Sequence, residues 1–176
     1  GKRAVVMTSG IHNVGKAYLY DTEKKVLEYL YTVKPELEGK KLSEQTVIRY
    51  AARDGLQIPA YLTLPEGKEP KKLPLVAYIH GGPHSRDRYG YDPMIQMLAS
   101  RGYAVFQPQF RMSTGFGWKH HTAGWKQWGL AMQDDVTDGI ESLIKQGIVD
   151  RNRVCIIGAS YGGYATMYGL VKDPDF

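Results

Sequence analysis

Residues 153–163 read RVCIIGASYGG, and no other stretch restricts the fold as much. An apolar run, Val154-Cys155-Ile156-Ile157, ends at Gly158, and a helical pattern begins just after Ser160. Gly158-Ala159-Ser160-Tyr161-Gly162 is G-x-S-x-G, standing between an expected buried strand and an expected helix. A corner this sharp forces the serine into a strained backbone conformation. Side chains at 158 and 162 would collide with the strand and the helix. The hydroxyl then stands above the sheet, where the N-terminal amides of the helix can stabilise developing negative charge. A serine that merely capped the helix would need neither the glycine frame nor the strand before it. Ser160 is therefore the candidate nucleophile. The N–H of Tyr161, next in the chain, is a candidate oxyanion donor.

The stretches around this corner define an architecture. From residue 75 onward, apolar strands alternate with helical patterns, which predicts βαβ units and a parallel sheet. LPLVAYI is a continuous apolar strand, and YAVFQPQF is another. DPMIQMLASRG predicts a short helix, with Pro93 early and Gly102 at the stop. Met132, Val136, Ile140, Leu143 and Ile144 recur at helical spacing within WGLAMQDDVTDGIESLIKQG. The final helix, YGGYATMYGLVKD, is expected to stop at Pro174. Upstream, TVIRYAARDGLQIPAYLTL reads as two strands joined around Asp54-Gly55. Residues 4–33 read as a meander of short strands, and 34–45 as a polar linker carrying Pro35 and Gly39. The expected division is residues 1–45, all β, and residues 46–176, α/β.

Acyl transfer needs a second amide besides that of residue 161. The loop YIHGGPH, residues 78–84, can supply it, since Gly81 and Gly82 let backbone approach a substrate carbonyl closely. Gly82 is the chosen donor, with Gly81 the alternative. His80 ends a buried strand, and it and His84 read as structural rather than as bases. Asp134-Asp135 sits early in a helix, where negative charge is favoured, and no histidine stands at ligand spacing. Helix electrostatics and an arginine or backbone contact are the expected roles. Trp118, Trp125 and Trp128, with His120-His121, are expected to pack beneath a loop rather than line a pocket.

The totals exclude several classes. At 43% hydrophobic and 23% charged, the chain has ordinary globular composition, and no apolar run is long enough to span a bilayer. The net charge is +5, and lysines sit in pairs such as Lys24-Lys25, Lys40-Lys41 and Lys71-Lys72, in turns or linkers beside acidic residues. They read as solvated loops, not a nucleic-acid surface. Cys155 is the only cysteine, so no internal disulfide forms, which favours a reducing compartment such as the cytoplasm over the periplasm or the exterior. Gly1 opens the chain with no charged-then-apolar leader after it, which reads as a processed start. No phosphate loop, metal cluster or cofactor fingerprint is present, so no cofactor or metal is expected.

HGGPH, RGYAVFQPQFRMSTGFG, QWGLAMQDDVTDGI and VCIIGASYGGYA, in that order, resemble the prolyl oligopeptidase family of serine peptidases, in particular its acylaminoacyl-peptidase-like branch. The resemblance runs from about Thr46 to the end. It implies an α/β-hydrolase domain with a mostly parallel sheet, with residues 1–45 as the end of a preceding β-propeller. It also implies Ser160 as nucleophile, the Gly82 and Tyr161 amides as oxyanion hole, and short peptides as substrates. Met112 departs from it, standing where the family usually has glycine. In this fold the nucleophile precedes the acid and the histidine. All five histidines here precede Ser160, and only Asp173 and Asp175 are acidic after it. The resemblance therefore places the triad acid and histidine beyond Phe176, and the chain alone is expected to be nearly inactive. With strand 153–157 left as an open edge, self-association or a tightly held complementary fragment is expected. The competing readings are an α/β-hydrolase esterase and a non-catalytic interaction fragment.

Overall fold

The computed structural model describes residues 1–173. Pro174, the expected helix stop, and Asp175 lie outside the described residues. Three antiparallel strands, β1 (Arg3–Gly10), β2 (Asn13–Asp21) and β3 (Val26–Thr32), form a sheet of their own in chain order. The Lys24-Lys25 turn joins β2 to β3, and Lys25 takes a left-handed φ of 55° there. A short 3-10 turn, Pro35–Leu37, interrupts the stretch expected as linker.

A second, five-stranded sheet holds β4 (Gln45–Ala51), β5 (Gln57–Thr63), β6 (Leu73–Ile79), β7 (Ala104–Pro108) and β8 (Val149–Gly158), in the order β4-β5-β7-β6-β8. The hairpin β4–β5 turns at Gly55, whose φ of 85° suits only glycine comfortably. The parallel pairing expected from residue 75 onward is found among β7, β6 and β8. The hairpin adds an antiparallel half, because β5 also pairs antiparallel with β7. The whole sheet is thus mixed.

Strand alternation divides the core in two. Leu75, Ala77 and Ile79 of β6 and Ala104 and Phe106 of β7 face the larger cluster, with Met132, Val136, Ile140 and Leu143 from α3 (Ala131–Lys145) and Ala165 from α4 (Tyr161–Lys172). Gly139 brings α3 against the sheet: a Cβ there would overlap the Phe106 ring and lie 2.7 Å from Cζ of Tyr50. Val105 points to the opposite face, against Ile95 and Ala99 of α1 (Pro93–Ser100). Helix α1 has Pro93 in its first turn, as its sequence indicates, and Asp92 caps it by accepting from the amides of Met94 at 2.8 Å and Ile95 at 3.1 Å. A further short helix, α2 (Trp118–Thr122), had no signal in the periodicity.

Chain order makes one place in this sheet special. From β6 the chain crosses to β7 on one side, then returns to lay β8 on the other. The order reverses at β6, and open α/β sheets form their crevices outside the strand ends at such a reversal. The register pairs Ile79, the last residue of β6, with Gly158, the last of β8. The segments leaving both strands therefore emerge side by side.

Candidate active site

Those two segments are HGGPH and the serine corner. Ser160 adopts φ 56° and ψ −122°, outside the comfortable range for a residue with a side chain, and is exposed. The corner closes only because its flanks are glycine. A Cβ at Gly162 would overlap the carbonyl oxygen of Ile79, and one at Gly158 would lie 2.6 Å from that same oxygen. The Tyr161 amide, at the first position of α4, belongs to the turn whose N–H groups have no partner within the helix.

The β6 loop approaches the serine from the other side. A Cβ on Gly81 would lie 3.4 Å from Cβ and 3.9 Å from Oγ of Ser160. Gly82 has φ 120°, and a Cβ there would come within 2.7 Å of the His84 nitrogen. Both sequence-indicated loops therefore meet at Ser160. Their backbone conformations explain why glycine stands at each tight position.

The histidines near the site are engaged in holding backbone. His80 is buried; its Nδ1–H donates to the Gly81 carbonyl and its Nε2 accepts from the Ser113 hydroxyl, each at 2.8 Å. Burial lowers its pKa below the usual imidazole value and so favours the neutral ring, against the Gly81 contact, which raises it. His120 Nε2–H is shared between the carbonyls of Gln109 and Phe110, at 2.9 and 3.1 Å, and burial lowers its pKa too. His121 Nδ1–H donates to the Met112 carbonyl at 2.9 Å. His84 is exposed, its ring 5.1 Å from that of His121.

The carboxylate pair divides as its helix position indicates. Asp135 is fully buried and accepts from Arg111 through Nε at 2.9 Å, Nη2 at 2.7 Å and the backbone N–H at 2.8 Å. Asp54 takes the other side of the same guanidinium, with Nη1 at 2.8 Å. Asp134 pairs with Lys172 at 2.7 Å and Arg53 at 3.0 Å.

The tryptophans do not pack beneath a loop. Trp118 is 71% exposed, and Trp125 and Trp128 are each 50% exposed. Trp118 stands edge-on to Trp125 at 5.5 Å and stacks on His121, while Trp128 packs against Tyr161 at 4.9 Å. Aromatic surface thus flanks the serine corner on the Tyr161 side and the β6 loop on the His84 side. Sequence reasoning missed Phe110 and Ser113, buried in the loop after β7 and touching both arms of the site. Their one available signal was the placement of FRMSTG directly after an apolar strand.

Known proteins resemble this chain in sequence and in fold. The profile of the prolyl oligopeptidase family matches residues 89–176. A dipeptidyl aminopeptidase BIII from Pseudoxanthomonas mexicana is 44% identical over 165 residues, which cover 90% of this chain and 24% of that protein. An acylamino-acid-releasing enzyme of Oryza sativa is 28% identical over 121 residues, covering 69% of this chain and 16% of that protein. Among solved structures, a puromycin-hydrolyzing peptidase of Mycobacterium tuberculosis superposes with a TM-score of 0.86 at 28% identity, covering 100% of this chain and 28% of that one. An acylaminoacyl peptidase in complex with Z-Gly-Gly-Phe-chloromethyl ketone gives 0.81 at 28% identity, with the same coverage. The chain spans about a quarter of the first of these relatives. In its architecture, an all-β portion followed by an α/β-hydrolase portion, and in its sequence, the chain belongs to the prolyl oligopeptidase family.

Proposed function

We propose that this chain carries the nucleophile and the oxyanion hole of a serine peptidase acting on short peptides. In this reading residues 1–45 are the end of a β-propeller and residues 46–176 the first part of the catalytic domain. Ser160 Oγ attacks the carbonyl carbon of the scissile bond. A C–O bond forms, the hydroxyl proton passes to a base, and the carbonyl electron pair moves onto oxygen. The Tyr161 and Gly82 amides hold that oxyanion. Collapse breaks the C–N bond and the departing amine takes the proton. Water then cleaves the acyl-enzyme, releasing a carboxylate and restoring the serine. The base and its acid are assigned to sequence outside these 176 residues.

One observation carries the reading: Ser160 sits strained and exposed at φ 56°, and a Cβ added to Gly81 would lie 3.4 Å from the Ser160 Cβ. Relatives named as dipeptidyl aminopeptidase and acylamino-acid-releasing enzyme support a peptide substrate. The test is fluorophosphonate labelling of the full-length protein, with turnover of peptides and p-nitrophenyl esters measured side by side. Wild type should label and cleave peptides, and Ser160→Ala should do neither. Labelling that persists in Ser160→Ala would overturn the assignment. Turnover of esters alone would move it to an esterase. A non-catalytic role for the isolated chain draws on the same geometry, since His80, His120 and His121 are engaged with backbone. The isolated chain should accordingly label far more slowly than the full-length protein.

A further inference from the structure

The serine-peptidase reading leaves one buried segment without a role, the loop after β7. Gln109, Phe110 and Ser113 are each 0% exposed. This loop leaves the sheet beside the β6 loop, because β7 and β6 are parallel neighbours. It reaches both arms of the site through two residues. The Phe110 ring contacts the His80 ring, stacked at 4.4 Å and 19°, and the Tyr161 ring, at 5.2 Å and 34°. Ser113 Oγ–H donates to His80 Nε2 at 2.8 Å, and His80 Nδ1–H donates to the Gly81 carbonyl at 2.8 Å.

The second link fixes a direction as well as a distance. The Gly81 carbonyl and the Gly82 N–H belong to one peptide unit. That unit is planar and trans, so the two groups point opposite ways. Pinning the carbonyl on His80 aims the Gly82 amide away from it. Phe110 meanwhile contacts both the residue leading to Gly82 and the residue that carries the second amide. The loop itself is held firmly. Asp135 binds the Arg111 backbone and guanidinium, His120 holds two of its carbonyls, and Ser113 N–H closes a turn on the Phe110 carbonyl at 3.0 Å.

We propose that Phe110 and Ser113 are positioning residues that set the separation and aim of the Gly82 and Tyr161 amides. The proposal rests on the reading of those amides as the oxyanion hole, and it goes further by assigning their geometry to a third loop.

The test compares Phe110→Leu and Ser113→Ala with Phe106→Leu in the full-length protein. Phe106 is equally buried but lies within β7 and packs on Tyr50, so its variant reports core loss alone. Two readouts are needed. The first is kcat and KM on an oxoester and its thionoester, whose larger sulfur is a poor hydrogen-bond acceptor and so probes the fit of the hole. The second is the amide resonance of Tyr161 and Gly82 in selectively labelled protein, which does not require turnover. Phe110→Leu and Ser113→Ala should each lower kcat about tenfold with KM nearly unchanged, since small misplacements of catalytic groups cost that order or more. Both should change the oxoester-to-thionoester ratio and move both amide resonances, and Phe106→Leu should do neither. Resonances unmoved in Phe110→Leu and Ser113→Ala, or kcat losses no greater than that of Phe106→Leu, would overturn the proposal. A wild type that cleaves neither ester would instead count against the peptidase reading, and the resonances would still decide this one.

Discussion

Replacing Asp135 with asparagine should destabilise the protein more than any comparable change at a surface pair. Asp135 is 0% exposed and Arg111 5% exposed, and three Arg111 donors converge on the carboxylate. Breaking a buried pair by neutralising one member typically costs about 3–5 kcal/mol, because the remaining charge stays desolvated. Here the guanidinium keeps Asp54, whose side chain is 50% exposed, and that contact offsets about 1 kcal/mol at most. The expected loss is therefore about 3 kcal/mol, or roughly 6–12 °C in Tm for a domain of this size. Asp54→Asn removes the wet half of the same bridge and should cost about 1 kcal/mol or less. Urea unfolding of wild type, both single variants and the double variant measures all terms, provided that the m-values agree. A loss below about 1 kcal/mol for Asp135→Asn, or one no larger than that for Asp54→Asn, would refute the argument that burial makes this bridge costly to break.

Three further outcomes are expected. Met112 holds φ 86° while its side chain is 5% exposed, so Met112→Gly relieves about 1–2 kcal/mol of backbone strain but gives up about 2–5 kcal/mol of packing; unfolding experiments should show a net loss, and an equal or more stable variant would refute it. Burial pushes the Asp87 carboxyl up to about 7, against a hydrogen bond from Gln107 that lowers it. Folded protein then holds a proton that the unfolded chain, at ~3.9, has released, so this group makes stability fall as pH rises from about 4 through about 7. Asp87→Asn should exceed wild type at pH 8 by on the order of 2–4 kcal/mol and match it near pH 4; equal stability at both pH values would sink the idea. Helix α4 exposes Met167 at 67%, Leu170 at 62% and Val171 at 75%, beside β8 at the edge of the described sheet. The isolated chain should therefore self-associate at micromolar concentration in sedimentation, and Leu170→Lys with Val171→Lys should shift it toward monomer; a clean wild-type monomer would refute this.

What was legible in the sequence was whatever one short stretch could demand by itself. Gly158 and Gly162 are required by their approach to the Ile79 carbonyl, so G-x-S-x-G exposes the corner without knowledge of anything distant. The α3 periodicity and the early Pro93 of α1 are local in the same sense. The chain's departure at Met112 also had a local physical meaning, for that position does take a left-handed backbone, the conformation glycine accepts most readily. The site's supports were not legible, because each joins residues far apart in sequence. His80 and Ser113 are 33 positions apart and Arg111 and Asp135 are 24, and no pattern in either stretch names its partner. The tryptophans misled for a related reason. Aromatic residues usually signify packing, and only the turns around them decide exposure; here left-handed Lys126 and Gly129 bracket Trp128 and leave it half in solvent. A motif thus singles out the candidate reacting atoms, while the contacts that surround them join distant stretches that only the folded chain brings together. On the proposed reading the consequence for Gly82 is specific: a hydroxyl 31 residues downstream would aim its amide through His80, so variation at 113 should alter catalysis without touching either motif.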